Sequence, residues 1–251
     1  MNQIFRTSNS ETAKYSAREL AKYLTAITGS NTFAIECVTQ LPKRDAGITL
    51  CLMQDAGIPT DVENTELDDA IFVDIKAGCG IIAGSNERAV LIGVYQFLTA
   101  LGCRFLRPGD DGEILVRMPL NEMNVHLEHT ASYRHRGVCI EGADSYENVV
   151  DMLHWLPKVG GNSYFAQFPT SYTFFNQWYS HKKNAFKQPE YFDREIGAEM
   201  TRTRPRRPNA PGCSTTLWAM AGPAAAWESK GSTGNPKKSS STRIRRNASP
   251  W

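Results

Sequence analysis

Residues 78–108 read G-C-G-I-I-A-G-S-N-E-R-A-V-L-I-G-V-Y-Q-F-L-T-A-L-G-C-R-F-L-R-P, and this stretch decides the fold. G-C-G-I-I-A-G-S (78–85) is an apolar run between glycines, the pattern of a buried strand. Asn86 follows as a helix cap, E-R-A-V-L-I-G-V-Y-Q-F-L-T-A-L as the helix, and Gly102 as its stop. C-R-F-L-R-P (103–108) then reads as a returning strand. The glycines bracket a strand rather than open a helix, so the stretch is not a nucleotide-binding G-x-G-x-x-G loop.

Working outward, A-I-F-V-D-I-K (70–76) is a strand that pairs with 78–85 through a tight Ala-Gly turn. Earlier β-rich runs lie at 32–38 and 46–53. Residues 12–28 repeat apolar side chains at helical spacing, with Ala13, Ala17, Leu20, Ala21, Leu24 and Ile27 on one face. Ser10 or Thr12 caps this helix and Gly29 stops it. G-D-D-G marks a turn before a strand at 113–119. The expected fold class is therefore α+β: residues 1–118 form a small α/β sandwich, one sheet covered by two helices. Residues 119–133 read as a polar connector.

Beyond it, R-H-R-G-V-C-I-E-G (134–142) is a short strand ending in Glu141. A helix at 145–160 follows, with Ser145 and Asn148 as its N-terminal signals, and then a strand at 162–168. A β-α-β unit of this size opens a parallel sheet or barrel. Helical stretches at 172–181 and 189–200 follow, and the pattern ends at 200.

The 251-residue chain has a net charge of +2, but that charge is split. Residues 201–251 hold ten Lys or Arg and one acid, Glu228, about +9; this leaves 18 basic and 25 acidic residues in 1–200, about −7. A basic block of this kind is more often a solvated or disordered tail than an arm for nucleic acid. Six cysteines (Cys37, Cys51, Cys79, Cys103, Cys139, Cys213) stand far apart, without C-x-x-C or a histidine at ligand spacing. They read as reduced, small buried hydrophobes rather than disulfides or a zinc set. The N-terminus is too polar for a signal peptide, and no run approaches the roughly 20 apolar residues of a membrane span. The expectation is a cytoplasmic protein with no nucleic acid, membrane, metal or cofactor partner; the sequence does not set its oligomeric state.

S-A-R-E-L-A-K-Y-L-T-A-I-T-G (16–29), taken with I-I-A-G-S-N-E-R-A-V-L-I-G-V-Y-Q-F-L-T-A-L-G-C-R-F-L-R-P (81–108), resembles the N-terminal domain of bacterial α-glucuronidases. It is also similar to the second domain of β-hexosaminidases. In those enzymes this domain precedes a (β/α)8 barrel that carries catalysis. Residues 133–168 resemble the first barrel strand, helix and second strand of an uncharacterised bacterial glycoside-hydrolase-like group with an α-glucuronidase-type N-terminal domain. The resemblance spans roughly 10–200. It implies a sugar-processing parent, with residues 134–200 as the first two β/α units of an incomplete TIM barrel.

In that group the residues after the second barrel helix resemble Y-H-A-V-G-H-G-W-T-C. The tail shows T-T-L-W-A-M-A-G-P-A (215–224) instead. Reading one nucleotide earlier, Trp218 and Met220, each followed by alanine, both give GGC, a forced glycine. NAT lies between them and admits histidine. The codons before and after admit Tyr, His, Ala, Val, Trp, Thr and Cys in the family's order. Residues 201–251 also contain no Val, Phe or Tyr. This stretch is therefore read as an out-of-frame, disordered tail.

Glu141 and Gln167 end the two expected barrel strands, where barrel enzymes place site residues, so both are candidates for contacting sugar. F-F-N-Q-W-Y-S-H (174–181) interleaves aromatics with amide and imidazole groups. Trp178 and Tyr179 suit stacking on sugar C–H faces, and His181 suits bonding a hydroxyl. Arg134, His135 and Arg136 precede the first strand, where salt bridging to the N-terminal domain is favoured over clamping a sugar acid. Glycoside hydrolysis usually needs two carboxylates flanking the scissile bond; in related barrels these sit on later strands, so no catalytic residue is assigned. The expected function is a fragment of a carbohydrate-active, glycoside-hydrolase-like protein, inactive alone. The alternative is a non-catalytic carbohydrate-binding or interaction protein using the cluster at 174–181.

Overall fold

The computed structural model describes residues 2–30, 32–140 and 146–166. Its main body is a six-stranded mixed sheet built from β1 (Gln3–Arg6), β2 (Ala34–Cys37), β3 (Ile48–Leu52), β4 (Ala70–Lys76), β5 (Cys79–Gly84) and β8 (Val125–Thr130). Across the sheet the order is β2-β1-β3-β5-β4-β8. β1 runs parallel to both β2 and β3, and β3 parallel to β5, while β4 is antiparallel to β5 and β8. Helices α1 (Glu11–Thr28) and α2 (Glu87–Ala100) pack against the sheet and each other. A two-stranded ribbon, β6 (Arg104–Phe105) with β7 (Glu113–Ile114), stands off the sheet. The last described unit is β9 (Gly137–Ile140), α3 (Tyr146–Trp155) and β10 (Ser163–Ala166), whose strands pair in parallel.

Strand alternation sorts the core into two faces. Ile4, Ile48, Leu50, Ile71, Val73, Ile75 and Ile82 join the helices in the main cluster. Cys51, Met53, Ala70, Ile81 and Ala83 face the other way, under Ala56, Ile58 and Val62 from the chain between β3 and β4. The β4–β5 hairpin turns at Ala77 and Gly78 with φ of 50° and 74°, the backbone that a two-residue turn of right-handed twist requires. The Asn124 side chain accepts the Ala77 N–H at 2.9 Å and fixes that turn.

Each long helix starts on a side-chain cap. Ser10 Oγ accepts the Ala13 N–H at 3.1 Å, and Asn86 Oδ1 the Ala89 N–H at 2.9 Å. Glu87 in the first turn of α2 accepts the hydroxyls of Ser8 and Ser10, tying the two helix starts together. α2 is buried from Arg88 to Tyr95 and again at Phe97 and Leu98, because the sheet, α1 and the turn after α3 all press on it. Tyr23, Tyr95 and Phe105 meet edge to face at centroid separations of 5.5–6.1 Å.

The structure corrects the sequence reading in several places. β1 was not foreseen, and β8 lies within the stretch read as a connector. Edge strand β8, V-H-L-E-H-T, keeps only Val125 and Leu127 against the core, so its alternation reads as polar. The strands expected at 103–108 and 113–119 shrink to two residues each. The helix expected at 145–160 ends as an α-helix at Trp155 and continues as a 3₁₀ turn, Leu156–Val159, where Pro157 lacks the N–H needed to continue it. Cys51 and Cys103 are buried as expected, whereas Cys37 and Cys139 are exposed.

Gly84 sits where the sheet meets α2, and a Cβ there would lie 2.4 Å from the Val90 nitrogen and 2.7 Å from the Ala89 carbonyl carbon. Both are backbone atoms that cannot swing aside. Gly84→Ala is expected to lower unfolding free energy by about 1–3 kcal/mol, as overpacked sites do. Urea denaturation checks this, and an unchanged midpoint would contradict the close approach.

Candidate functional site

Asp69 directly precedes β4, and its side chain is 1% exposed. An ionised carboxylate in such a place must be fully paired. Arg88, in the first turn of α2, donates Nε at 3.0 Å and Nη2 at 2.7 Å to Oδ1. Arg136, just before β9, donates Nη2 to Oδ2 at 2.6 Å. The side-chain amides of Asn86 and Asn162 donate at 3.1 Å, one to each oxygen. These donors fill the acceptor sites of the carboxylate. Burial works against its charge, but the two guanidinium groups outweigh it and hold the Asp69 carboxyl below the usual carboxylate range.

The partners make further bonds of their own. Arg136 also donates Nε to Gly160 O at 2.8 Å and Nη1 to Tyr133 O at 2.7 Å. Asn162 donates to Arg134 O at 2.8 Å and accepts the Arg136 N–H at 2.9 Å, so it stitches the start of β9 to that of β10. Arg134 forms a fork on Asp68 at 2.6 and 3.0 Å. Arg134 and Arg136 thus form ion pairs with Asp68 and Asp69 just before β4.

A second seam runs along α1 and β7. Lys158 Nζ, on a side chain 9% exposed, donates to Glu113 Oε1 at 2.6 Å. Tyr23 donates its hydroxyl to the same oxygen at 2.6 Å. The ammonium also lies 5.8 Å from the Tyr23 ring centre and 5.7 Å from that of Phe105. Trp155 Nε1 donates to Phe105 O at 3.0 Å. Burial and the neighbouring Glu113 push the Tyr23 phenol far above its ordinary value, so it remains a donor.

Chemically, both seams are anchors. Their polar atoms bond one another across elements, and the depressed Asp69 carboxyl holds no proton to give at neutral pH. Among the described residues no group of three or more His, Cys, Asp or Glu could hold a metal ion. Among them no helix is long and apolar enough to cross a membrane. The candidates Glu141, Gln167, Trp178, Tyr179 and His181 lie outside the described residues, as do the helices expected at 172–181 and 189–200 and the basic tail. The described chain stops one residue short of two of them: β9 ends at Ile140 and β10 at Ala166, and these two are register partners.

Sequence reasoning missed Asp69, Glu113, Lys158 and Asn162. One signal was available: Arg88 opens an apolar run, Ala89–Tyr95, in the first turn of α2, and a cation buried there requires an anion.

With this geometry in place, the chain is a mixed α/β protein whose described residues form a sheet-and-helix body with a docked β-α-β unit. No family model and no curated protein matches it. Among solved structures, it is similar to a family GH115 4-O-methyl-α-glucuronidase with specificity for decorated arabinogalactans, at 15% identity and a TM-score of 0.43. The match covers 78% of this chain and 28% of that one, so the chain spans under a third of that enzyme's length. At this identity and score the likeness says nothing about activity.

Asp69→Asn leaves two guanidinium groups facing a neutral amide and is expected to cost about 3–5 kcal/mol of stability. Arg136→Met, which leaves Asp69 paired to Arg88, should cost less. Because the folded value of Asp69 is depressed, its contribution is complete above the ordinary carboxylate range and is lost as pH falls through the depressed value. Wild-type stability, followed by denaturant titration from pH 7 to pH 3, should therefore fall more steeply than that of Asp69→Asn.

Proposed function

We propose that this chain is the front part of a carbohydrate-active, glycoside-hydrolase-like protein. In this reading residues 1–118 are an α+β platform, residues 134–200 the first two β/α units of a (β/α)8 barrel, and residues 201–251 an out-of-frame tail. The observation that carries it is the β9–α3–β10 unit. Two parallel strands, in register from Gly137 with Ser163 to Ile140 with Ala166, are joined through a helix and pinned to the platform at their N-terminal ends. Barrel enzymes keep stabilising contacts at strand starts and substrate contacts at strand ends. Glu141 and Gln167 follow those strand ends in the chain and are the first two substrate-contacting positions of this reading. Trp178, Tyr179 and His181 supply stacking and hydroxyl contacts. The acid and base of glycoside hydrolysis belong to later barrel strands, so residues 134–200 bind sugar without cleaving it.

The gene sequence across codons 195–251 tests the frame. The shifted frame is expected to continue through a Gly-His-Gly-Trp segment, and an early stop there would overturn the tail assignment. The chain as given is expected to show no turnover of aryl glycosides or glucuronides. A frame-restored chain should hydrolyse at least one of them, with sugar affinity reduced about tenfold or more by Glu141→Ala. A restored chain that binds glycans without hydrolysis would instead be a non-catalytic carbohydrate-binding protein.

A further inference from the structure

The main sheet ends on β8, which pairs with β4 and has no second strand beside it among the described residues. The ladder sets where its backbone groups point. Ala70 faces Thr130, so Asp69 faces Ala131, and the Ala131 N–H donates to Asp69 O at 2.9 Å. Antiparallel partners alternate between pairs that exchange hydrogen bonds and pairs that do not. Val125, Leu127 and His129 therefore turn their N–H and C=O groups to β4, and His126, Glu128 and Thr130 turn theirs outward. The side chains alternate too. Val125 and Leu127 pack on the main cluster, while His126 meets the Phe72 ring at 5.8 Å on the opposite face, which Glu128 shares. The His126 and Glu128 side chains are 65% and 68% exposed. Asp74 lies 3.5 Å from His126 Nδ1 and Glu128 lies 3.8 Å from Nε2, both beyond an ordinary hydrogen bond. The imidazole N–H and the Glu128 carboxylate thus keep bonding capacity at the open edge.

We propose that this edge pairs with itself: two copies of the chain join β8 to β8, antiparallel, about a two-fold axis at Leu127. Charged side chains on an edge usually keep other strands away. Here their order makes them attract an inverted copy. Outward-facing residues must oppose outward-facing residues, which limits the registers. An axis at Glu128 sets that carboxylate against its own copy, and like charges directly opposite are destabilising. An axis at Leu127 sets His126 opposite Glu128 of the second copy, and the symmetry repeats the pair. The imidazole offers an N–H to that carboxylate whether neutral or protonated. The same axis brings Leu127 against Leu127 as a closely spaced pair on the helix-bearing face, so the two apolar clusters meet across the join.

Sedimentation of the full chain over a range of concentrations tests this. One short edge buries less than the ~800 Å² per partner of a standard interface, so the dimer is weak and should assemble at roughly 10–500 µM. Glu128→Lys sets cations opposite His126 and should weaken association about tenfold or more. Adding His126→Glu to that variant restores two opposite-charge pairs and should bring the dissociation constant back to within about threefold of wild type. Glu36→Lys, on the far edge strand β2, should leave it unchanged. A chain that stays monomeric throughout this range contradicts the proposal. So does association that Glu128→Lys leaves intact, that the paired exchange fails to recover, or that Glu36→Lys weakens equally.

Discussion

The carboxylate of Asp69 is the constraint on which the arrangement of this protein depends. It lies at the start of β4 and receives donors from the start of α2, the approach to β9 and the approach to β10. Four elements are therefore referred to two oxygen atoms. A buried charge tolerates little geometric slack, since each lost donor exposes the cost of keeping the ion out of water. The backbone is drawn into the same knot: Asp69 O accepts the Ala131 N–H at 2.9 Å, and Ser85 Oγ bridges Asp68 O and the Ala70 N–H. The chain leaving β8 is thereby aimed directly at the start of β9.

The sheet-and-helix body is held differently. Its main cluster is aliphatic and aromatic, and each fully buried Leu, Ile or Phe contributes about 1.5–3 kcal/mol without prescribing a direction. Such a core would accept a docked unit in many orientations. The contacts across the seam are directional instead: the Arg134 fork on Asp68, the Arg136 guanidinium and the Asn162 amide on Asp69, an ammonium on Glu113 and an indole N–H on Phe105 O. The body derives stability mainly from area, and the seam derives orientation mainly from hydrogen-bond geometry.

This division explains what was legible in the sequence. Ser10, Gly29 and Asn86 mark the helix ends because capping is a local act, and the Ala-Gly turn announces the β4–β5 hairpin for the same reason. The apolar face of α1 was read correctly at Ala13, Ala17, Leu20, Leu24 and Ile27, but Ser16 and Tyr23 are buried there too. Their polar atoms are satisfied by Thr12 O and Glu113, and only the folded chain supplies the second of these. β1 is four residues long and β8 is a half-solvated edge, so neither accumulates enough pattern to separate from loop. The docking residues were hidden for a related reason. Asp69, Asn162 and Lys158 look like ordinary surface residues, and their burial is created by partners between 17 and 93 positions away.

The position of the knot along β9 and β10 also bears on where chemistry can occur. A site that binds substrate needs polar atoms with unspent hydrogen-bonding capacity, held by something rigid. At the strand starts most of that capacity is spent: Arg136 bonds Asp69, Gly160 and Tyr133, and Asn162 uses both ends of its amide. A ligand there would have to displace bonds already made to a charged group. Rigidity is nonetheless transmitted along the strands, because the Gly137–Ser163 and Ile140–Ala166 pairs belong to one ladder. A Cβ on Gly137 would lie 1.8 Å from Ser163 O, so the two strands approach as closely at this end as a missing side chain allows. Fixing one end of a four-residue ladder fixes the other, so the anchor at the strand starts also sets where Ile140 and Ala166 lie.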